Sequence, residues 1–184
     1  MSRRSVNEPR TLTWRSPWGA LPVQLCNGRI LAIGLDSRTE MTAAKTPSNR
    51  RSSGPIRTAT ELSALMRRVL MGRVGAKEIL AACDLSHCTA FEQRVFAALA
   101  KVRRGRVVSY GELAAAAGSP RAARAVGSAL GANPIPILLP CHRVVASNGI
   151  GGYGGSVKRG WRPANQDPIA FKRTLLAREG VLIR

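Results

Sequence analysis

One stretch decides how the rest of the chain is arranged: residues 133–145 read NPIPILLPCHRVV. Its apolar run, residues 135–139, is interrupted by one proline and is too short to cross a membrane, so it predicts a buried extended segment. That segment brings Cys141 and His142 into the interior. Cysteine is a strong nucleophile only as the thiolate, which an adjacent base or positive field favours by lowering the thiol pKa. Cys-His-Arg supplies both, although a buried cysteine is also commonly a small apolar side chain.

The charge of the chain restricts its partners. Over 184 residues the net charge is +19, which predicts a polyanionic partner such as nucleic acid, an acidic membrane surface or an acidic protein. The excess is not confined to a tail, because residues 1–90 carry 14 basic and 6 acidic side chains and residues 91–184 carry 15 and 4. Aromatic residues make up only 4% of the chain, so a duplex-binding surface fits better than a platform that stacks a single strand.

The chain has four cysteines: Cys26, Cys83, Cys88 and Cys141. They are too few and too irregularly spaced for a secreted disulfide scaffold. No signal-peptide core follows Met1 and no apolar run reaches about 18 residues, so we expect an intracellular protein with reduced thiols and no membrane partner. The first three cysteines and His87 could in principle bind zinc. None of the C-x-x-C pairs of recognised zinc folds is present, however, and we predict no metal.

The first 35 residues predict a small antiparallel sheet. A strand that begins at Thr11 runs to a turn at residues 16–19. Residues 21–26 and 29–35 form two further strands around Asn27-Gly28, which is the strongest short hairpin signal because both central positions of a type I′ turn need positive φ. The three strands should therefore be joined by short turns.

A linker and a helix follow the sheet. Residues 36–57 are rich in Ser, Thr, Arg and Pro and predict a mobile linker or a long loop. Thr58 and Glu61 have the spacing of a capping box, and apolar residues then recur at helical spacing as far as Gly72. Packed on one face of the sheet, this helix would complete a small amino-terminal α/β domain, residues 1–88.

Residues 89–184 predict a mostly helical second domain. A capping box at Thr89 and Glu92 opens a helix whose apolar stripe ends in the basic run 103–106. That run either complements the helix dipole on a solvated face or contacts phosphate. A third capping box, Ser109-x-x-Glu112, opens an alanine-rich helix over residues 110–117.

A second helix follows at once and completes a helix-turn-helix pattern. Gly118 ends the first helix, Ser119 caps the next, and Pro120 starts it, with an end at about Leu130. Its inward positions include Ala122 and Val126, and its outward positions are Arg121, Arg124 and Ser128. Taken alone, the pattern is also compatible with a plain helical hairpin.

Together these segments resemble the O6-alkylguanine-DNA alkyltransferase family. The resemblance is carried by NPIPILLPCHRV at residues 133–144, Ser109-Tyr110, RAARAVG at residues 121–127 and GYGG at residues 152–155. It is continuous over residues 89–155 and resumes at residues 171–180. Before Thr89 it is loose.

The resemblance implies an activity. In this family an alkyl group passes directly and irreversibly from O6-alkylguanine in duplex DNA to a cysteine, here Cys141, with O4-alkylthymine as a further candidate substrate. The protein would be a monomer that is consumed in the reaction, with no cofactor. The lesion lies inside the base stack, so the nucleotide must rotate out. The helix-turn-helix would enter the minor groove, whose degenerate pattern suits an enzyme that must act in any sequence.

The resemblance also assigns roles to individual residues. His142 would act as the base through a water, with Glu179 orienting its ring and Asn133 bridging the helix-turn-helix to the active-site segment. Tyr110 would turn the phosphate and then bind the extruded base, while Arg124 fills the gap in the stack. Further DNA contacts fall to Arg121, Ala122, Ala123 and Ser128. The substrate pocket would be lined by Pro136, Val144, Ser147, Gly152, Tyr153 and Gly154.

Two other functions remain open from the sequence. The first is an alkyltransferase-like lesion sensor, which binds damage without accepting the group; such relatives replace the cysteine, whereas this chain keeps it. The second is a cysteine hydrolase, which would leave the basic charge and the helix-turn-helix unexplained. A phosphate-binding loop at residues 150–155 is disfavoured because no Gly-Lys-Ser/Thr ending follows.

The chain departs from the family at residues 157–170. Family members run almost directly from the double glycine into the last helix, whereas this segment intervenes here. It could widen the pocket, add basic contacts through Arg159 and Arg162, or loop out. Asp167 followed by Pro168 can still start the last helix cleanly.

Overall fold

The structure is a computed structural model that describes residues 9–35, 54–154 and 166–183. Its strands are β1 Arg10–Ser16, β2 Gly19–Cys26, β3 Arg29–Ile33, β4 Val108–Ser109 and β5 Val144–Val145. Its helices are α1 Ala59–Leu70, α2 Ala76–Ala82, α3 Ala90–Leu99, α4 Tyr110–Ala116, α5 Ala123–Gly131 and α6 Pro168–Arg178, with a 3-10 turn at Cys141–Arg143. A small antiparallel sheet therefore precedes a mostly helical part, which confirms the predicted class.

The sheet follows the hairpin signal. Its order is β1-β2-β3, both pairs antiparallel, and Asn27 (φ 50°) and Gly28 (φ 74°) both occupy the left-handed region. This is the turn that the sequence predicted. The third strand ends at Ile33 rather than at Leu35, and the Ile33 N–H donates to the Pro134 carbonyl at 2.9 Å. The sheet is thereby fastened to the stretch that carries the site.

Of the predicted mobile linker or long loop, residues 36–53 lie outside the described ranges, and residues 54–57 are irregular backbone that lies against the hairpin. Gly54 N–H donates to the Asn27 carbonyl at 2.6 Å, and Ile56 N–H donates to the Gly28 carbonyl at 3.0 Å. The Ile56 side chain is 1% exposed. Arg10 also donates to the carbonyls of Ile56 and Arg57. The segment lies so close to the hairpin that a Cβ on Gly28 would lie 2.6 Å from the Gly54 carbonyl oxygen.

Helix α1 begins and ends where its capping signals stand. Thr58 and Glu61 form a reciprocal capping box, and Gly72 (φ 69°) follows the last turn. The buried face consists of Leu62, Leu65, Met66 and Val69. Helix α2 was not predicted, because it spans only seven residues and has no side-chain cap, which leaves too little pattern to detect.

The helix-turn-helix forms with one correction. Capping boxes open α3 at Thr89 and α4 at Ser109, as predicted. Helix α5, however, begins at Ala123 rather than at Pro120, because residues 119–122 close a turn in which Ala122 N–H donates to the Ser119 carbonyl at 2.9 Å. Arg121 therefore lies in this turn and not on the helix.

Strands β4 and β5 connect the helix-turn-helix to the site. They pair in parallel, Val108 with Val144 and Ser109 with Val145, so α4 starts directly beside the residues that follow Cys141. One continuous apolar core joins the sheet to the helices. Within the described ranges, no helix is both long and apolar enough to cross a membrane.

Candidate active site

The stretch before Cys141 is buried but is not simply extended as predicted. Pro136 and Leu139 form an isolated bridge, and Leu139 N–H donates to the Ile135 carbonyl at 2.9 Å, so the chain makes a tight turn. Ile137, at its tip, has φ 74°, which is a strained conformation for a β-branched residue. The turn stays in place because all of residues 135–140 are buried. It delivers Cys141 in a fixed position.

Asn133 holds both ends of that turn. Its Nδ2 donates to the Leu139 carbonyl at 2.9 Å, and its Oδ1 accepts from the Ile135 N–H at 3.1 Å. Asn133 lies two residues after α5, so these bonds connect the end of the helix-turn-helix to the turn. Its side chain also helps to lower the pKa of the Cys141 thiol, against the larger effect of burial.

His142, Arg143 and Glu179 form a buried network. His142 Nε2 lies 3.0 Å from Glu179 Oε1. Arg143 donates to both oxygens of the same carboxylate, at 2.9 Å to Oε2 and 2.8 Å to Oε1, and also to the Val102 carbonyl at 2.6 Å. Such a two-pronged pair of charges is among the strongest of protein hydrogen bonds. The sequence analysis considered Arg143 only as a source of positive field beside Cys141 and did not predict its pairing with Glu179.

The network determines the protonation of His142. Burial raises the pKa of Glu179, but hydrogen bonds from His142 and Arg143 outweigh it and lower that pKa from 4.5 to about 2. Burial lowers the pKa of His142 below 6.5, although Glu179 opposes this. The imidazole is therefore neutral at pH 7, and its Nε2 carries the proton because a carboxylate can only accept. Its other nitrogen, Nδ1, is buried without a hydrogen-bond partner in the described part of the chain, and is free to accept a proton.

Cys141 lies beside groups that favour its thiolate. The residue is 7% exposed. Burial raises the pKa of its thiol, whereas hydrogen bonds from Asn133 and Tyr153 and the charge of Lys172 lower it. A thiol with these neighbours is held protonated at rest and is stabilised when a base removes the proton.

Lys172 is the residue that sequence reasoning missed. It is 0% exposed, and its Nζ donates to the carbonyls of Val144, Ile150 and Gly152 at 2.6, 2.7 and 2.9 Å. Burial lowers its pKa to about 8, and Cys141 opposes that shift. A signal for it was present: Lys172 stands on the apolar face of α6, among Phe171, Leu175 and Leu176. A cation on a buried helix face is rare unless it is paired or functional.

Two tyrosines border the sulfur. Tyr110 Oη donates to the Gly152 carbonyl at 3.4 Å, and burial, followed by the proximity of Cys141, raises its pKa. Gly151 (φ 67°) packs so closely that a Cβ there would lie 3.2 Å from Tyr110 Cε2. Tyr153 is buried, and the same two causes raise its pKa well above 10.

The other predicted pocket residues differ in exposure. Pro136 and Val144 are buried, Gly154 is half-buried, and Ser147 and Gly152 are exposed. Residues 155–165 of the lid and of the predicted insertion lie outside the described ranges. Asp167 caps α6 with Pro168 at its first position, as predicted.

The predicted DNA-contacting side chains lie on and next to α5. Arg121, Arg124 and Ser128 are exposed, while Val126 is buried and both Ala122 and Ala123 are half-buried. Gly127 faces the ring of Tyr110: a Cβ there would lie 3.8 Å from Cε1. Helix α5, which carries the exposed Arg124, is thus connected through Tyr110 to the surroundings of Cys141. Among the described side chains, no three His, Cys, Asp or Glu residues cluster as metal ligands would.

Comparison with known proteins identifies the family. A family model described as "6-O-methylguanine DNA methyltransferase, DNA binding domain" matches residues 90–181, half of the chain. The chain belongs to this family. A methylated-DNA–protein-cysteine methyltransferase of Thermococcus sibiricus is 42% identical over 123 residues, which are 66% of this chain and 62% of the relative. The relative of the same name from Homo sapiens is 49% identical over 92 residues, which are 49% of this chain and 39% of the relative. The chain thus spans less than two thirds of these curated relatives.

Solved structures of the family have the same fold. The O6-methylguanine-DNA methyltransferase of Pyrococcus kodakaraensis strain KOD1 superposes with a TM-score of 0.64 at 27% identity, covering 95% of this chain and 100% of that one. Mycobacterium tuberculosis OGT in complex with DNA gives a TM-score of 0.61 at 30% identity, covering 92% of each chain.

Proposed function

We propose that this protein repairs DNA by transferring the alkyl group of O6-alkylguanine in duplex DNA to Cys141, once and irreversibly. The observation that carries the proposal is a buried thiol next in the chain to a neutral imidazole, with a carboxylate fixing the imidazole tautomer. The names of the curated relatives support the same reaction. Residues 89–184 would form the DNA-binding and alkyl-accepting domain, and residues 1–88 a structural one.

The proposed chemistry needs one proton transfer and one displacement. The proton of Cys141 passes to Nδ1 of His142, relayed by a water, while Glu179 keeps the proton on Nε2 and stabilises the imidazolium. The thiolate, favoured by Lys172, attacks the alkyl carbon. A carbon–sulfur bond forms, the bond from that carbon to O6 breaks, and its electron pair leaves with guanine, which takes up a proton. The product thioether has no route back to thiol, so each molecule would act once.

DNA binding is assigned to α5 and the turn before it. Arg121 and Arg124 are exposed there beside small side chains that permit close approach to a groove. We propose that α5 enters the minor groove, that Arg124 replaces the extruded nucleotide, and that Tyr110 contacts the base in a pocket bordered by Tyr153. Contacts with phosphate would make binding strongly dependent on salt concentration. One monomer would act on each lesion.

A mass measurement tests the reaction. The protein is mixed with duplex carrying O6-methylguanine, digested, and the peptide that contains residue 141 is weighed. We expect one added methyl group on that peptide in the wild-type protein and none in Cys141→Ser. The control Cys88→Ser, which removes a half-buried thiol elsewhere in the chain, should keep the added group. An O4-methylthymine duplex tests the wider substrate range in the same way.

The rival functions are outcomes of the same assay. Tight binding to the lesion without any gain in mass would show a damage sensor and overturn the proposal. Repeated turnover of a small ester, unaffected by DNA, would show a hydrolase. Transfer to a residue other than Cys141 would refute the assigned site while leaving the activity standing.

A further inference from the structure

A large cavity lies between the two parts of the molecule, and Cys141 is not among the residues that line it. It has a volume of about 590 Å³ and is bordered by the end of α1, the start of α2 and the loop after α3. Its inner wall is the tight turn that precedes Cys141, including the strained Ile137. The volume lies within the range of about 300 to 1,000 Å³ that is usual for small-molecule sites, and is far too large for a bare inorganic ion.

The rim of this cavity carries positive charge without neutralisation. Arg73, Lys101 and Arg103 line it, and within the described ranges their side chains make no hydrogen bond or ion pair. No carboxylate is among the described residues of the lining. Glu78, an acidic residue of α2, lies next to the lining residue Ile79 in the chain but is already paired with Arg68 at 2.6 Å. Three cations that line one cavity and have no partner among the described side chains favour a ligand group with more than one negative charge.

Apolar side chains form the other part of the lining. Its wall is formed by Val69, Val74, Ile79, Val102 and Ile137. These side chains offer no hydrogen bonds, so a ligand must bring an apolar body as well as an anionic group. A solvated basic surface would have no such wall.

The two other cations of the lining are not free. Arg104 donates to the carbonyls of Leu70 and Arg178, and Arg143 is held by Glu179 and by Val102. Arg104 and Arg143 contribute positive potential, but their N–H groups already donate to protein oxygens. A smaller cavity of about 150 Å³ shares Val69, Arg104, Ile137 and Arg143 with the first and is also lined by His142 and Glu179. The large cavity therefore adjoins the back of the His142–Glu179 pair.

We propose that this cavity binds a phosphate monoester of an apolar molecule, with the phosphate at Arg73, Lys101 and Arg103 and the apolar body against the wall beside Ile137. Neither a neutral apolar molecule nor free phosphate satisfies both parts of the site. The proposal does not depend on alkyl transfer, since it concerns binding alone.

The probe is 1-naphthyl phosphate, whose fluorescence reports binding to the full chain. The test variant is Lys101→Ala/Arg103→Ala. The matched control is Arg15→Ala/Arg67→Ala, which removes the same charge from two exposed residues outside the cavity. We expect saturable binding to the wild-type protein and a loss of about tenfold or more in the test variant, but less than about twofold in the control. Thermal unfolding of both variants checks that they remain folded.

Three results would overturn the proposal. The first is no saturable binding to the wild-type protein. The second is an equal loss in both double variants, which would indicate a diffuse basic surface. The third is that inorganic phosphate or 1-naphthol competes as well as the ester does. The same measurement with Cys141→Ser protein must give unchanged affinity, so failure here is distinguishable from failure of the repair activity.

Discussion

The amino-terminal part, residues 9–35 and 54–88, and the carboxy-terminal part, from residue 89 onward, bury different kinds of side chain. In the described ranges of the first, the fully buried set is apolar except for Gln24; in the second it includes His142, Arg143 and Lys172. Both parts belong to one continuous core. Capping boxes begin helices in both parts, at α1 in the first and at α3 and α4 in the second.

This difference bears on function because buried charge does not generally stabilise a fold. Removing charged groups from water costs several kcal/mol each, and apolar replacements of equal volume are often more stable. The described amino-terminal part buries no charged side chain and so avoids this cost. In the carboxy-terminal part His142 and Arg143 directly follow Cys141 in the chain, and the charge of Lys172 acts on its thiol, so the cost of burying them is consistent with chemistry there.

The largest effect is expected for Lys172→Met, which makes the carboxy-terminal core resemble the amino-terminal one. Loss of the ammonium removes a positive charge beside Cys141 and leaves the carbonyls of Val144, Ile150 and Gly152 without a donor. We expect the single-turnover rate of alkyl transfer to fall about 100-fold or more. The free energy of unfolding should fall by about 2 kcal/mol. Rapid-quench transfer and denaturant unfolding measure the two.

Arg173→Met is the control for that substitution. It removes a neighbouring but exposed cation, whose bond to the Ile183 carbonyl lies at the surface. Its rate should be unchanged and its stability within about 0.5 kcal/mol of the wild type. A Lys172→Met protein that transfers alkyl groups at the normal rate would show that buried charge is no guide to chemistry in this molecule.

The next effect concerns pH. In the proposed reaction neutral His142 accepts the proton, and its pKa lies below 6.5, so the transfer rate should be constant at neutral pH and fall only below pH 6.5. In Glu179→Gln the carboxylate that raises the pKa of His142 is gone. The acid limb should therefore move to lower pH, while the plateau rate falls by about 10- to 100-fold because the imidazole tautomer is no longer fixed. Transfer rates across the pH range test both.

Acid unfolding gives an independent check on Glu179. Its pKa is about 2 in the fold against an ordinary 4.5, so its contribution to stability is complete above pH 4.5 and is lost as the pH falls towards 2. The Glu179→Gln protein should lose less stability over that interval than the wild type does. A steeper loss in the variant, or an acid limb displaced to higher pH, would contradict the assigned network.

A smaller effect is expected where the two parts are joined. Arg104 donates to the last carbonyl of α1 at Leu70 and to that of α6 at Arg178, and the next N–H, at Gly105, donates to Glu179 Oε2 at 3.3 Å. Arg104→Met should lower the free energy of unfolding by about 1 to 2 kcal/mol, because two helix carboxyl ends lose a cation. The transfer rate should fall by about two- to fivefold.

Arg67→Met is the matched control, since Arg67 is an exposed residue of the last turn of α1. We expect a change within about 0.5 kcal/mol. Equal effects of the two substitutions would mean that Arg104 acts only through surface charge and does not tie the two parts together.

Local signals in the sequence were sufficient for much of the fold. The turn at Asn27-Gly28 and the capping boxes involve residues within four positions of each other, so propensity and hydrogen bonding decide them without the rest of the chain. The placement of Ile56 and the late start of α5 depend on contacts with distant backbone or on turn geometry. Pattern reasoning has no access to those contacts.

The site was predictable to the extent that it is contiguous in sequence. Cys141 and His142 stand together and can be read as nucleophile and base. Glu179 has no local signal and came only from the resemblance to the family. Lys172 shows why the remainder was missed: a single lysine on an apolar helix face hardly changes a periodic pattern, and the three carbonyls that hold it come from 20 to 28 residues earlier in the chain.

The smallest effect is expected for a helix N-cap residue, which can be removed separately in each of the two parts. The Thr58 hydroxyl accepts from the third N–H of α1, and the Ser109 hydroxyl accepts from the third N–H of α4, both at 3.1 Å. The substitutions Thr58→Ala and Ser109→Ala each remove one of these oxygens. Each substitution should cost about 1 kcal/mol of unfolding free energy. Thr58 lies far along the chain from Cys141, whereas Ser109 pairs with Val145 and immediately precedes Tyr110. Only Ser109→Ala should therefore slow alkyl transfer, by about threefold, because the start of α4 positions the Tyr110 ring. Slower transfer in Thr58→Ala, measured at equal fractions folded, would mean that the amino-terminal part takes a share in the chemistry.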